Sequence, residues 1–144
     1  MGSESWGVEW ISWHENQFII AECQYQLGQE QESLNTLNNT LSVLEQRWRE
    51  FDQSCQLPRY SDIGGPDLFA AIMNEKYKAM FLNMQSLSDW RRTGFPLFID
   101  KNGNSTECDG GVPRRLLYPE LEKKTNSNVP PGDSIFDRVE NDPS

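Results

Sequence analysis

The chain has 144 residues, enough for one domain with a real core, and its 22 acidic and 13 basic side chains leave a formal net charge of -9. Binding to nucleic acid needs a basic face that displaces counterions from phosphates, so the charge argues against that class and equally against anionic lipid headgroups. Aromatic residues at 11% exclude a disordered chain, while a hydrophobic share of only 36% points to long loops or to a piece of something larger.

The opening "MGSESWGVEW" has no basic n-region and no apolar h-region, so it does not read as a signal peptide. Met1-Gly2-Ser3 has the form of an expression scar. No run of 18 apolar residues exists, so no membrane-spanning helix is expected. Trp6, Trp10 and Trp13 cluster here. They are candidates for an exposed aromatic contact, and packing against the second helix is their simpler role.

The first helix is expected over Ser12 to Leu27. Ser12 with Glu15 forms a capping box, and Gly28 suits the C′ position. Phe18, Ile19, Ile20, Ala21, Cys23, Tyr25 and Leu27 cover most of the circumference, which predicts neighbours on more than one side. The second helix runs from Glu30 to Phe51. Leu34, Leu37, Leu41, Leu44, Trp48 and Phe51 recur at three-four spacing and define one apolar seam. Asn35, Asn38, Asn39, Glu45 and Arg49 lie opposite and are expected in solvent. The two helices form an antiparallel hairpin.

Residues 52–66 carry Pro58, Gly64, Gly65 and Pro66 and read as loop. A third long helix is expected from Pro66 to about Trp90. Phe69, Ile72, Met73, Tyr77, Met80, Phe81 and Met84 form its apolar face, and Asn74, Glu75 and Lys78 look outward. It runs into "DWRRTGFP", Asp89 to Pro96. Two arginines beside a tryptophan could hold an anion. Arg91 and Arg92 also oppose the negative end of the helix dipole, Gly94 closes the helix, and Pro96 prevents its resumption. The structural reading accounts for every residue of the stretch.

From Thr93 the helical period vanishes. Phe95 to Ile99 and Arg114 to Tyr118 are short extended pieces expected to pair or to lie on the helices. Asp100, Asn102 and Asn104 match the first ligand positions of a calcium loop. Ser105 replaces its turn glycine and Gly111 its bidentate glutamate, so a polar turn fits better. Cys23, Cys55 and Cys108 show no metal-ligand spacing. Cys23 reads as a small buried hydrophobe, and Cys55 and Cys108 could pair only in an oxidising compartment. His14 is the sole histidine and is expected exposed in a first helical turn. No nucleophile elbow, phosphate loop or metalloprotease motif occurs, and carboxylate pairs such as Glu30 with Glu32 arise by chance in an acidic chain. No catalytic residue, metal or cofactor is expected. The sequons at Asn38 and Asn104 matter only in a eukaryotic secretory pathway.

Residues 18–41 can be laid on a tetratricopeptide helix pair. Ala21, Tyr25, Gly28 and Leu41 fall on its small, aromatic, glycine and apolar positions, with Ser33 in place of the expected alanine. One such pair cannot bury its own faces, which implies neighbours. The order of "WHENQFIIAECQYQLG", "EKYKAMFLNMQSLSDWRRTGFP" and "VPRRLLYPELEKKTNSNVP" resembles the C-terminal portion of SusD/RagB-type nutrient-binding outer-membrane lipoproteins. Glu75-Lys76-Tyr77, Asp89 to Gly94, Pro96, Val112 to Arg115 and Tyr118-Pro119 carry the likeness over about residues 10–140. Members are several times longer and carry a lipidated cysteine without counterpart here, so the chain resembles a fragment or a short relative.

The resemblance implies an all-α, tetratricopeptide-like hairpin plus a third long helix within a single domain over residues 1–144. Residues 1–11 would precede a helical core at 12–92, and a loop-rich segment at 93–144 would pack on it. It also implies capture of oligosaccharides or other nutrients without catalysis, at the surface of a Gram-negative outer membrane. The partner would be a TonB-dependent, SusC-like transporter, with membrane attachment only through a lipid anchor outside this chain. No sugar-binding residue transfers, because the matching motifs are architectural. The competing reading is a helical adaptor that holds a protein partner and has no small-molecule ligand.

Overall fold

The computed structural model describes residues 11–96, 115–130 and 134–137. The chain divides into two compact units, residues 1–86 and 87–144. Among the described residues the structure is all-α, with no strand.

The first unit holds α1 (Trp13–Gln26), α2 (Glu30–Trp48) and α3 (Gly65–Ala79), each packed on the other two. Ser12 starts α1 as expected, its hydroxyl accepting from the Glu15 amide at 3.1 Å. The Glu15 side chain does not return the bond, so half of the capping box forms. Gly28, at φ +75°, closes the helix. Its amide donates to Tyr25, and the Gln29 amide donates to Gln24, the paired bonds of a Schellman turn. The turn is tight enough to set α2 antiparallel to α1.

Ser33 explains the departure from the repeat pattern. It is fully buried between the two helices of the hairpin, and its hydroxyl donates to the Ala21 carbonyl at 2.7 Å. A hydroxyl is small enough for the alanine position and adds a cross-helix bond. Phe18, Leu37, Leu41, Leu68 and Ile72 are buried to within 1% and form the core. Burying each such side chain stabilises the fold by about 1.5–3 kcal/mol. Tyr25 stacks on Phe69 with ring centres 5.2 Å apart, joining α1 to α3.

Several expectations need correction. Helix α1 has neighbours on two sides, α2 and α3, but fully buries only Glu15, Phe18, Ala21 and Glu22. Ile19, Leu27 and Cys23 are exposed, so Cys23 is not a core residue. The α2 seam is buried from Leu34 to Leu44 but not at its end: Trp48 is 54% and Phe51 85% exposed. Phe81 and Met84 are also exposed, and Glu75, expected outward, is buried at 3%.

The third long helix is in fact two. It breaks after Ala79 and resumes as α4 (Gln85–Thr93). Leu82 sits at φ +67°, a left-handed conformation that a helix cannot absorb. The freed Met80 carbonyl accepts from the Asn83 amide at 2.9 Å and from the Ser86 hydroxyl at 2.9 Å. Asn83 also accepts from the Gln85 amide at 2.8 Å and starts the next helix. Asn and Ser are residues that satisfy orphan backbone groups at such junctions.

Most of α4 belongs to the second unit, in which the short α5 (Glu120–Thr125) also lies. The loop-rich reading did not anticipate α5. The extended piece at Arg115 pairs with Ile135 through one backbone bond of 3.2 Å.

Candidate functional site

Helices α2 and α3 start at the same end of the unit and finish at the same end. Their connection must therefore travel back the length of α2, whose 19 residues span about 28 Å. An extended chain covers that in about nine residues, so the connecting segment is long enough to do so. Three polar side chains of α2, spaced by eight and seven residues on one face, hold it there. The Glu45 carboxylate accepts from the Leu57 amide at 3.1 Å and from Arg59 at 2.9 Å. The Asn38 side-chain amide both donates to the Tyr60 carbonyl and accepts from the Tyr60 amide, at 2.8 and 2.9 Å. Glu30 accepts from the Gly65 amide at 3.2 Å, placing a carboxylate on the positive end of α3.

Asn38 and Glu45 are thus fastenings, not a solvated face. The Leu57 amide, with help from Arg49 and Arg59, holds the Glu45 carboxyl below its ordinary range despite partial desolvation. Tyr60 reaches on to α3, where its phenol donates to Glu75 at 2.8 Å. Burial, the bond to Glu75 and the charge of that carboxylate push the Tyr60 phenol up to about 12. Lys78 pairs with the same Glu75 oxygen at 2.6 Å, so this buried carboxylate is compensated.

This bracing places an open end at the start of α1 and the finish of α2 and α3. Trp48 stands there between two half-open hollows. One, of about 340 Å³, is lined by His14, Leu44, Arg47, Trp48, Phe51 and Ala79. The other, of about 210 Å³, shares Leu44, Trp48 and Ala79 and adds Cys55, Leu57, Glu75 and Lys78. An indole flanked on two sides by concave, mostly apolar space is the geometry on which a flat ring stacks.

The structure sorts the residues singled out from sequence. Arg91 and Arg92 occupy the last turn of α4, and Arg92 pairs with Asp89 at 3.0 Å. Gly94, at φ +74°, donates to the Trp90 carbonyl at 2.7 Å, and Trp90 is buried. The "DWRRTGFP" stretch is therefore a helix terminus. His14 lies in the first turn of α1, half-buried, at the edge of the larger hollow. Trp13 is half-exposed. Cys55 lines the smaller hollow as a free thiol. Trp6, Trp10, Cys108 and the polar turn at Asp100, Asn102 and Asn104 lie outside the described residues. Among the described residues no group of three or more His, Cys, Asp or Glu could hold a metal ion.

Sequence reasoning missed Trp48, which it assigned to the seam. The available signal was its place as the last regular turn of α2, directly before a loop.

The fold is an all-helical scaffold, and comparison with known proteins gives the class. The sequence model of the SusD-like family described as starch-binding and associating with the outer membrane matches residues 10–119. The match covers well over half of the chain, and the chain belongs to that family. No curated protein and no solved structure matches it. Among the described residues no helix is long and apolar enough to cross a membrane.

Proposed function

We propose that the chain is part of a non-enzymatic nutrient-capture component at the surface of a Gram-negative outer membrane. It binds oligosaccharides and works with a TonB-dependent, SusC-like transporter. The observation that carries this is the family match, which spans the braced three-helix unit and the start of the second unit. The helices over 12–92 serve as scaffold in a larger helical domain. Attachment to the membrane is through a lipid anchor.

Calorimetric titration of the full chain with a panel of neutral and acidic oligosaccharides tests the capture role, and co-purification with the transporter tests the partnership. Chromatography of the recovered sugars should show them uncleaved. Loss of all sugar binding and of co-purification together would remove the reading.

A second reading has its own support. Phe51, Phe81, Leu82 and Met84 are exposed apolar side chains, the chemistry of a protein-docking surface. A pure adaptor keeps its transporter after Trp13→Ala and Trp48→Ala and binds no sugar at all.

A further inference from the structure

The two hollows beside Trp48 differ in charge. In the smaller one Glu75 and Lys78 neutralise each other at 2.6 Å. The larger one is lined by Arg47 and His14 and has no carboxylate among its described lining residues. That is unusual on a chain with 22 acidic and 13 basic side chains. The Arg47 guanidinium makes no ion pair or hydrogen bond among the described residues, whereas Arg49 and Arg59 both pair with Glu45. An uncommitted guanidinium is a planar fork of donors matched to a carboxylate. Here it sits on the residue beside a half-exposed indole, over a concavity whose other described walls, Leu44, Phe51 and Ala79, are apolar.

We propose that the hollow formed by His14, Leu44, Arg47, Trp48, Phe51 and Ala79 takes a uronic-acid residue of an oligosaccharide. The apolar C–H face of the sugar lies on the Trp48 indole, and its carboxylate lies on the Arg47 guanidinium. His14 stands on the same rim. A neutral glucan satisfies the indole and leaves Arg47 unused, so the charge selects among sugars that stack equally well. The assignment rests on the glycan-capture reading above and narrows it to an acidic substrate class.

The test titrates the full chain with tri-galacturonate, with maltotriose as the neutral probe and a sulfated disaccharide as the second anionic probe. Tri-galacturonate should bind at least roughly tenfold more tightly than maltotriose, and Arg47→Ala should remove that advantage. Arg47→Lys should restore part of it, and added salt should weaken binding of tri-galacturonate only. Trp48→Ala should abolish binding of tri-galacturonate while far-UV circular dichroism stays unchanged, since the indole is half-exposed. Equal affinity for maltotriose and tri-galacturonate, or unaltered affinity in Arg47→Ala, overturns the acidic assignment and leaves glycan capture standing. Tighter binding of the sulfated disaccharide overturns the carboxylate. Sugar binding that survives Trp48→Ala overturns the location alone. Failure of every sugar on the wider panel overturns the capture reading instead.

Discussion

Two stretches along α2 and just past its end share one apolar spacing and have opposite surroundings. Leu34, Leu37, Leu41 and Leu44 are buried against α1 and α3, whereas Trp48 and Phe51, next in the same series, face open space. The period of a hydrophobic pattern names a face of the helix. It does not say how far along that face a neighbour extends. The neighbours give out at the start of α1 and the finish of α3, so the same seam is core at one end and exposed at the other.

The sharpest way to break the comparison is to truncate one residue from each stretch. Leu41→Ala removes a fully buried side chain and should cost about 2–5 kcal/mol, read as a lower thermal midpoint. An unchanged midpoint would mean that the seam is not core. Next in size is Asn38→Ala, which deletes both bonds to the Tyr60 backbone and should cost about 1–3 kcal/mol. Faster hydrogen exchange at the Tyr60 amide is the specific readout, because a purely solvated Asn38 would leave that amide unaffected.

Glu45 supplies a pH arm. Its folded carboxyl titrates below the ordinary 4.5, so its contribution is complete above that value. The contribution is lost as the pH falls through 4.5 toward the folded value. The gap in thermal midpoint between the protein and Glu45→Gln should therefore be full near neutrality and close in acid. A gap independent of pH would mean that the carboxylate charge does not hold the connection. The smallest effect on stability is expected from Trp48→Ala, under about 1 kcal/mol, because its side chain is already half in solvent. A large loss there would make Trp48 a core residue and remove the contrast.

Much of this architecture was legible in the residues. Ser12, Gly28 and Gly94 mark helix ends by chemistry that acts within a few residues, and all three do so in the structure. The all-α class, the antiparallel hairpin and the family followed from pattern and motif order. What escaped depends on distant partners. Asn38, Glu45 and Glu75 look like surface residues until a connection returns to meet them. The break at Leu82 was hidden because "MFLNM" has a good apolar period, and only Asn83 and Ser86 hint that the Met80 carbonyl can be satisfied otherwise. The site was the least legible part. Trp6, Trp10 and Trp13 drew attention by their clustering, while Trp48 sat inside a convincing heptad.

The segment between α2 and α3 has a consequence for the lifetime of the protein. By composition it is the obvious place to cut: Pro58, an exposed Arg59, and the pair Gly64-Gly65. A protease, however, must draw several consecutive residues out into its own groove, and here the amides of Leu57, Tyr60 and Gly65 are each tied to a side chain of α2. Cleavage at Arg59 has to wait for those three ties to open, so this breaker-rich stretch is shielded from digestion for as long as α2 stays folded.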